Sequence, residues 1–258
     1  MSVKPDPGGF PQRKCSEVRW VTADQMRDVQ RLAQEDFGVD LGQITENAGR
    51  AGATLALAML GGKGRGQRIV ILCGGGNTGA AGLATARHLS NWGFRVDPIV
   101  SGVEEEASFM SRRQIQTLRL AGILEPADKE SSEITVEDQL ANADLVIDAL
   151  VGYGAAGPPQ GIASAVAHLA LQANRPTLSL DVPSGVNATT GEVSNPAIRA
   201  ITTLLLDLPK RGVLEPGARA HVGELFLADL GIPASVPERL GIHMAGVFNE
   251  GPIVRLRR

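Results

Sequence analysis

The chain has 258 residues, room for one large domain or two small ones, with 43% apolar residues, 31 glycines and a formal net charge of −3. That charge gives no electrostatic ground for binding nucleic acid or an anionic membrane. Cys15 and Cys73 make neither a disulfide framework nor a zinc pattern, so a reduced cytoplasm is expected. No apolar run is long enough to span a bilayer, and the opening MSVKPDPGGFPQRK lacks the apolar core of a signal peptide.

Residues 1–20 hold three Pro and two Gly without periodicity and read as a flexible arm. Thr22 and Gln25 have capping-box spacing. Met26, Val29 and Ala33 follow at helical intervals, which predicts a helix to about Glu35. A second helix is expected from about Gln43 to Leu60. Then Ile69-Val70-Ile71-Leu72, a branched apolar run, reads as a strand buried on both faces. Gly74-Gly75-Gly76-Asn77-Thr78-Gly79 follows as a loop, with a helix from Ala80. Strand, glycine loop and helix turn free N–H groups toward an anion. The same run also serves as a plain tight turn.

Phe94–Val100 reads as a strand near a sheet edge, because Asp97-Pro98 interrupts it. Glu104–Leu120 reads as one helix and the segment from Thr135 as a short one. Asp144–Val151 is a buried strand, Ile162–Leu171 a helix and Thr177–Asp181 a strand. Ile201–Leu206 and Glu224–Ala228 are the last two strands. Residues 236–258 read as an irregular tail ending in a basic, solvated patch, so the folded domain is placed at 21–235. Alternating strands and helices predict an α/β fold, a mostly parallel sheet with helices on both faces. Ligands bind beyond the carboxyl ends of such strands. Three loops leave strand ends there: Gly74–Gly82, Asp148–Gly161 and Asp181–Gly191.

Asp148 follows Leu145-Val146-Ile147 and Asp181 follows Leu178-Ser179-Leu180. A carboxylate at the end of a buried strand is costly without a partner. Each suits a loop cap, a cation site or a proton-transfer role, and the residues alone leave these open. Ser184 offers a hydroxyl to a hard-oxygen cation site. There is no Gly-x-Ser-x-Gly elbow, and the glycine loop lacks the Lys-Ser or Lys-Thr pair of a P-loop. Asp97 is the only nearby acid for gripping a ribose, and it stands ahead of a proline.

The segments Thr22–Met26, Glu46–Arg50, CGGGNTGAAGLATARHL at 73–89, GYGAAGPPQG at 152–161, LDVPSGVNATTGEV at 180–193 and Leu208-Pro209-Lys210 resemble, in order and spacing, the YjeF N-terminal-like family. The resemblance implies a three-layer Rossmann-like sandwich, a homodimer, and NAD(P)H-hydrate epimerase activity on NADH and NADPH hydrated at carbon 6. A separate dehydratase would then repair the S form. It also implies one potassium ion per subunit, held by Thr78, Asp148 and Ser184. It assigns substrate contacts to Gly76, Asn77, Thr78, Gly79, Ala80 and Ala81, to Gly152, Tyr153, Gly154, Ala155, Ala156, Gly157 and Pro158, and to Asp181 and Lys210. Asp181 is implied as the proton-transfer residue.

The family loop reads Asn-Asn-Gly-Gly-Asp-Gly, whereas this chain has Asn77-Thr78-Gly79-Ala80-Ala81-Gly82. Thr78 replaces a cation-ligating Asn, and Ala81 replaces the Asp. Gly157 stands where many bacterial members carry Arg. These departures keep a second reading in view, a catalytically impaired nucleotide-binding or protein-interaction scaffold.

Overall fold

The structure is a computed structural model and describes residues 3–62, 66–125, 135–155, 157–244 and 246–258. Its elements in chain order are β1 (Gln12–Lys14), α1 (Ala23–Glu35), α2 (Leu41–Met59), β2 (Arg68–Gly74), α3 (Asn77–Asn91), β3 (Arg95–Ser101), α4 (Phe109–Leu120), α5 (Val136–Ala141), β4 (Leu145–Ala149), α6 (Gly161–Ala173), β5 (Thr177–Leu180), β6 (Thr202–Leu206), α7 (Arg219–Val222), β7 (Glu224–Ala228), α8 (Ser235–Arg239) and β8 (Ile253–Arg257). Among the described residues eight strands form one sheet in the order β1-β8-β7-β6-β5-β4-β2-β3. Every pair from β3 to β7 is parallel, while β8 runs antiparallel to β7 and parallel to β1.

Alternation along the strands builds the three layers. Ile69, Ile71 and Cys73 of β2 pack on one face with α2, α3 and α4. Val70 and Leu72 point to the other face, against Leu140 of α5 and Val166, Ala167 and Ala170 of α6. Farther along that face, Met26, Val29 and Ala33 of α1 cover Leu205, Leu225, Leu227 and Val254. The small residues of α2 let it lie against α3. A Cβ at Gly49 would collide with the Cβ of Ala84.

Several expectations are corrected. Helix α3 starts at Asn77, because Gly76 is extended (φ −86°, ψ −173°) and serves as N-cap. Asn77–Ala81 therefore form its first turn rather than a loop. The helix expected over 104–120 is broken. Glu104–Glu106 make a single 3-10 turn, Ala107 is extended, and the Ser108 hydroxyl accepts the N–H of Ser111 to start α4. Strand β3 does lie at a sheet edge, as Pro98 implied.

The flexible arm and irregular tail are corrected most. Gln12–Lys14 pair with Arg255–Arg257, and Ile253–Leu256 pair with Leu225–Ala228 of β7. In β8 the buried Ile253, Val254 and Leu256 form the packing surface. The tail's arginines are engaged. Arg255 pairs with Asp6 and, at 2.7 Å, with Glu224, and Arg257 donates to Gln12 at 2.9 Å. The sheet thus extends past both ends of the 21–235 span.

Candidate functional site

Going outward from β2 the chain adds β3 on one side and β4 on the other, so the strand order reverses between β2 and β4. Crevices at such reversals hold ligands at the carboxyl ends of the strands. A cavity of about 340 Å³ lies there, within the ordinary range for small-molecule sites of roughly 300–1,000 Å³. Two of the three expected loops supply most of its walls: Gly76, Asn77, Thr78 and Ala81 after β2, and Leu150–Ala155 after β4. Asp181 and Lys210 also line it.

The first turn of α3 carries N–H groups without intrahelical partners, and Gly76 offers no side-chain cap. They form a ready anion site. The two glycine-loop positions that demand glycine are Gly74 and Gly79. A Cβ at Gly74 would overlap the carbonyl oxygen of Leu150, and one at Gly79 would overlap the carbonyl of Gly74. The loops after β2 and β4 are thereby pressed together.

Asp181, the residue after β5, is 1% exposed and has φ +72°. Its N–H donates to the Leu204 carbonyl at 2.7 Å. Lys210 is wholly buried, and its Nζ stands 2.5 Å from Asp181 Oδ1. Nζ donates to the Leu206 carbonyl at 2.6 Å and lies 5.2 Å from the centre of the Tyr153 ring. The Tyr153 N–H donates to Asp181 Oδ2 at 2.9 Å. Oδ1 has the Lys210 ion pair and no further donor among the described residues. An oriented carboxylate with an unsatisfied oxygen can accept a ligand hydroxyl.

Asp148 behaves differently. Oδ1 accepts the Ser184 hydroxyl at 2.6 Å and the Leu150 N–H at 3.3 Å. Oδ2 accepts the Ser179 hydroxyl at 2.8 Å and the Ser184 N–H at 2.9 Å. Burial pushes this carboxyl above its usual range, while the four donors pull it back. The Ser184 hydroxyl also accepts the Val151 N–H at 3.0 Å. Asp148 and Ser184 thus tie the loops after β4 and β5 together from beneath the cavity. Neither lines it.

Of the expected substrate contacts, Gly76, Asn77, Thr78, Ala81, Gly152, Tyr153, Gly154, Ala155, Asp181 and Lys210 are brought together in the cavity wall. Gly79, Ala80, Gly157 and Pro158 are outside it, and Ala156 lies outside the described residues. Asp97 is engaged at 2.5 Å with Arg68, at the opening end of β2, and does not reach the crevice. Sequence reasoning missed the opposite wall: Gln30 of α1, Leu41, Ile44, Thr45 and Ala48 of α2, and Leu206 and Leu230. Gln30 accepts the Tyr153 hydroxyl at 2.6 Å. It also missed Asp207, 6% exposed at the end of β6. A visible signal existed, since Leu180-Asp181-Val182-Pro183 recurs as Leu206-Asp207-Leu208-Pro209.

Residues 41–212 match the family described as YjeF-related protein N-terminus. The chain is 39% identical over 250 residues to an NAD(P)H-hydrate epimerase of Dehalogenimonas lykanthroporepellens, covering 96% of each. It is 31% identical over 222 residues to an NAD(P)H-hydrate epimerase of Rhodopirellula baltica, covering 86% of this chain and 88% of that one. A bifunctional NAD(P)H-hydrate repair enzyme Nnr of Moorella thermoacetica is 36% identical over 215 residues, which span 83% of this chain and 40% of the larger protein. In fold it is similar to the crystal structure of yeast ynu0, with a TM-score of 0.78 at 19% identity, covering 93% of this chain and all of that one. With two thirds of its length matched and the glycine loop, LDVPSG segment and lysine gathered at one crevice, the chain belongs to the YjeF-related N-terminal family.

Proposed function

We propose that the protein is an NAD(P)H-hydrate epimerase, interconverting the R and S hydrates of NADH and NADPH. The observation that carries this is the Asp181 carboxylate in the cavity wall, ion-paired to Lys210 through Oδ1 and accepting the Tyr153 N–H through Oδ2. The C6 hydroxyl of the hydrate meets this carboxyl group. A proton delivered through the Asp181 carboxyl to that hydroxyl lets it leave as water, while Lys210 holds the carboxyl in place. The ring cation formed beside its nitrogen is stabilised by the adjacent carboxylate. Water then adds to the opposite face and gives up one proton to solvent, and the carboxyl is reprotonated from solvent, so atoms and charge balance. General acid–base assistance of this kind contributes roughly 10²–10⁴-fold. The N–H groups at the start of α3 suit the pyrophosphate.

The expected potassium ligands do not make an open site here. Asp148 already accepts from four donors, the Ser184 hydroxyl donates to Asp148 and accepts the Val151 N–H with one lone pair left, and Thr78 stands apart in the cavity wall. A carboxylate has about four lone-pair positions to give. No step above depends on an ion. A homodimer, a cytoplasmic location and a separate dehydratase partner complete the proposal. The two free cysteines are compatible with a reducing compartment.

The test is recovery of reduced-nicotinamide absorbance from the R hydrate, with an S-specific dehydratase in excess. The expected result is clear acceleration over spontaneous epimerisation, lost in Asp181→Asn. A folded protein without acceleration would instead support the scaffold reading, which Ala81 in place of the family's Asp favours.

A further inference from the structure

The repeated Leu-Asp-hydrophobic-Pro sequence is also a repeated structure. Asp181 and Asp207 each follow the last residue of a parallel strand, and β5 and β6 are neighbours. Both have positive φ, +72° and +65°, uncommon for a residue with a side chain. Each N–H donates to the next strand over, Asp181 to Leu204 and Asp207 to Ala228. In each turn the following residue donates back to the residue before the aspartate, Val182 to Leu180 and Leu208 to Leu206. Lys210 belongs to both turns: it ion-pairs with the first aspartate and bonds the carbonyl that precedes the second. The Asp207 carboxylate has no hydrogen bond or ion pair of its own among the described residues, although it is buried.

We propose that Asp207 is a positioning residue for the epimerase reaction, acting through Lys210 by competing with Asp181 for its charge. This deepens the epimerase reading and rests on it. Asp207 does not line the cavity, so it does not touch substrate. The charged and titratable groups that act on it or respond to it are Lys210, Asp229, Asp181 and the Tyr153 phenol. Burial pushes its carboxyl up to about 7, with Asp229 and Asp181 pushing the same way and Lys210 pulling down. Near neutral pH the site therefore has two states. With Asp207 protonated, Lys210 belongs to Asp181 alone. With Asp207 ionised, the ammonium is shared and one more negative charge faces the developing ring cation.

The experiment measures kcat and KM between pH 5.5 and 8.5, each rate corrected for spontaneous epimerisation, for wild type, Asp207→Asn and Asp229→Asn. Wild-type kcat should rise about three- to tenfold through pH 7, the scale of one charge acting across a partly screened site. KM should stay level. Asp207→Asn should lose the step, and Asp229→Asn should move it to lower pH. The NMR signal of Lys210 Cε, followed without substrate, should titrate near pH 7 in wild type and not in Asp207→Asn. A pH step that persists in Asp207→Asn, or a Lys210 signal indifferent to Asp207, overturns the proposal. Absence of activity at every pH, with the Lys210 response intact, overturns the epimerase reading and the catalytic role of Asp207 with it.

Discussion

Replacing Lys210 with methionine tests what holds the cavity wall together. The side chain is wholly buried, and methionine fills similar volume without charge. At 2.5 Å, with an effective dielectric of about 20, the attraction to Asp181 is about 7 kcal/mol. Part of that is offset because the ammonium no longer has to be desolvated. Losing one partner of a buried pair costs about 3–5 kcal/mol. The loss falls mostly on Asp181, left 1% exposed with only the Tyr153 N–H to satisfy it. Lys210→Met with Asp181→Asn removes both charges, and should recover most of the loss. Urea unfolding of wild type, both single variants and the double variant at pH 7 measures the cycle. A single Lys210→Met that loses under about 1 kcal/mol, or a double variant no more stable than the single, would refute the reasoning.

Gly152→Ala should lower ligand affinity, since its Cβ would overlap the Thr78 hydroxyl and approach Asp181 Oδ2 to 3.3 Å. Thr78→Ala in the same chain should restore part of it by calorimetric titration, and no restoration would mean that the threonine is not what is struck. Asp207 predicts a pH dependence of stability. Its carboxyl is raised in the fold to about 7, from an ordinary value near 4 in the unfolded chain, so the native state keeps a proton that the unfolded state has lost. The stabilisation is present in full below about pH 4, declines as pH rises to 7 and is flat above, at most about 4 kcal/mol in all. Asp207→Asn should remove that slope in denaturant melts at pH 4.5, 6 and 8, and an unchanged slope would contradict the assignment. Deleting residues 1–14 should destabilise the protein measurably, because it removes β1 and the Phe10 ring, 5.5 Å from that of Phe226. An unaltered melting temperature would show that this pairing contributes nothing.

The central sheet was readable because its signals are local. Ile69–Leu72 and Leu145–Ile147 are apolar on both faces, and glycine follows β2 where only glycine fits. The outer strands were not. Gln12–Lys14 has no apolar pattern, and Ile253–Arg257 carries two arginines whose partners, Glu224, Asp6 and Gln12, are remote in sequence. The site divides the same way. Asp181 announced itself at a strand end, but its pairing with Lys210 depends on two loops meeting in space. For Asp148 the residues left a cap, a cation site and proton transfer open, and the Ser179 and Ser184 hydroxyls that it binds come from a strand and a loop remote in sequence.

The pairing of β1 with β8 also sets an order of assembly. Strands β2 to β6 and the helices between them find their partners as the chain lengthens, each from nearby sequence. Strand β1, made first, has no partner until residues 253–257 exist, and the outer edge of β7 is unpaired for the same interval. Contacts between such distant segments carry a large loop-closure cost and form late. During synthesis the crevice can therefore be in place while one flank of the sheet still offers an open edge, the kind of surface on which other chains pair. The last strand to be made is the one that closes it.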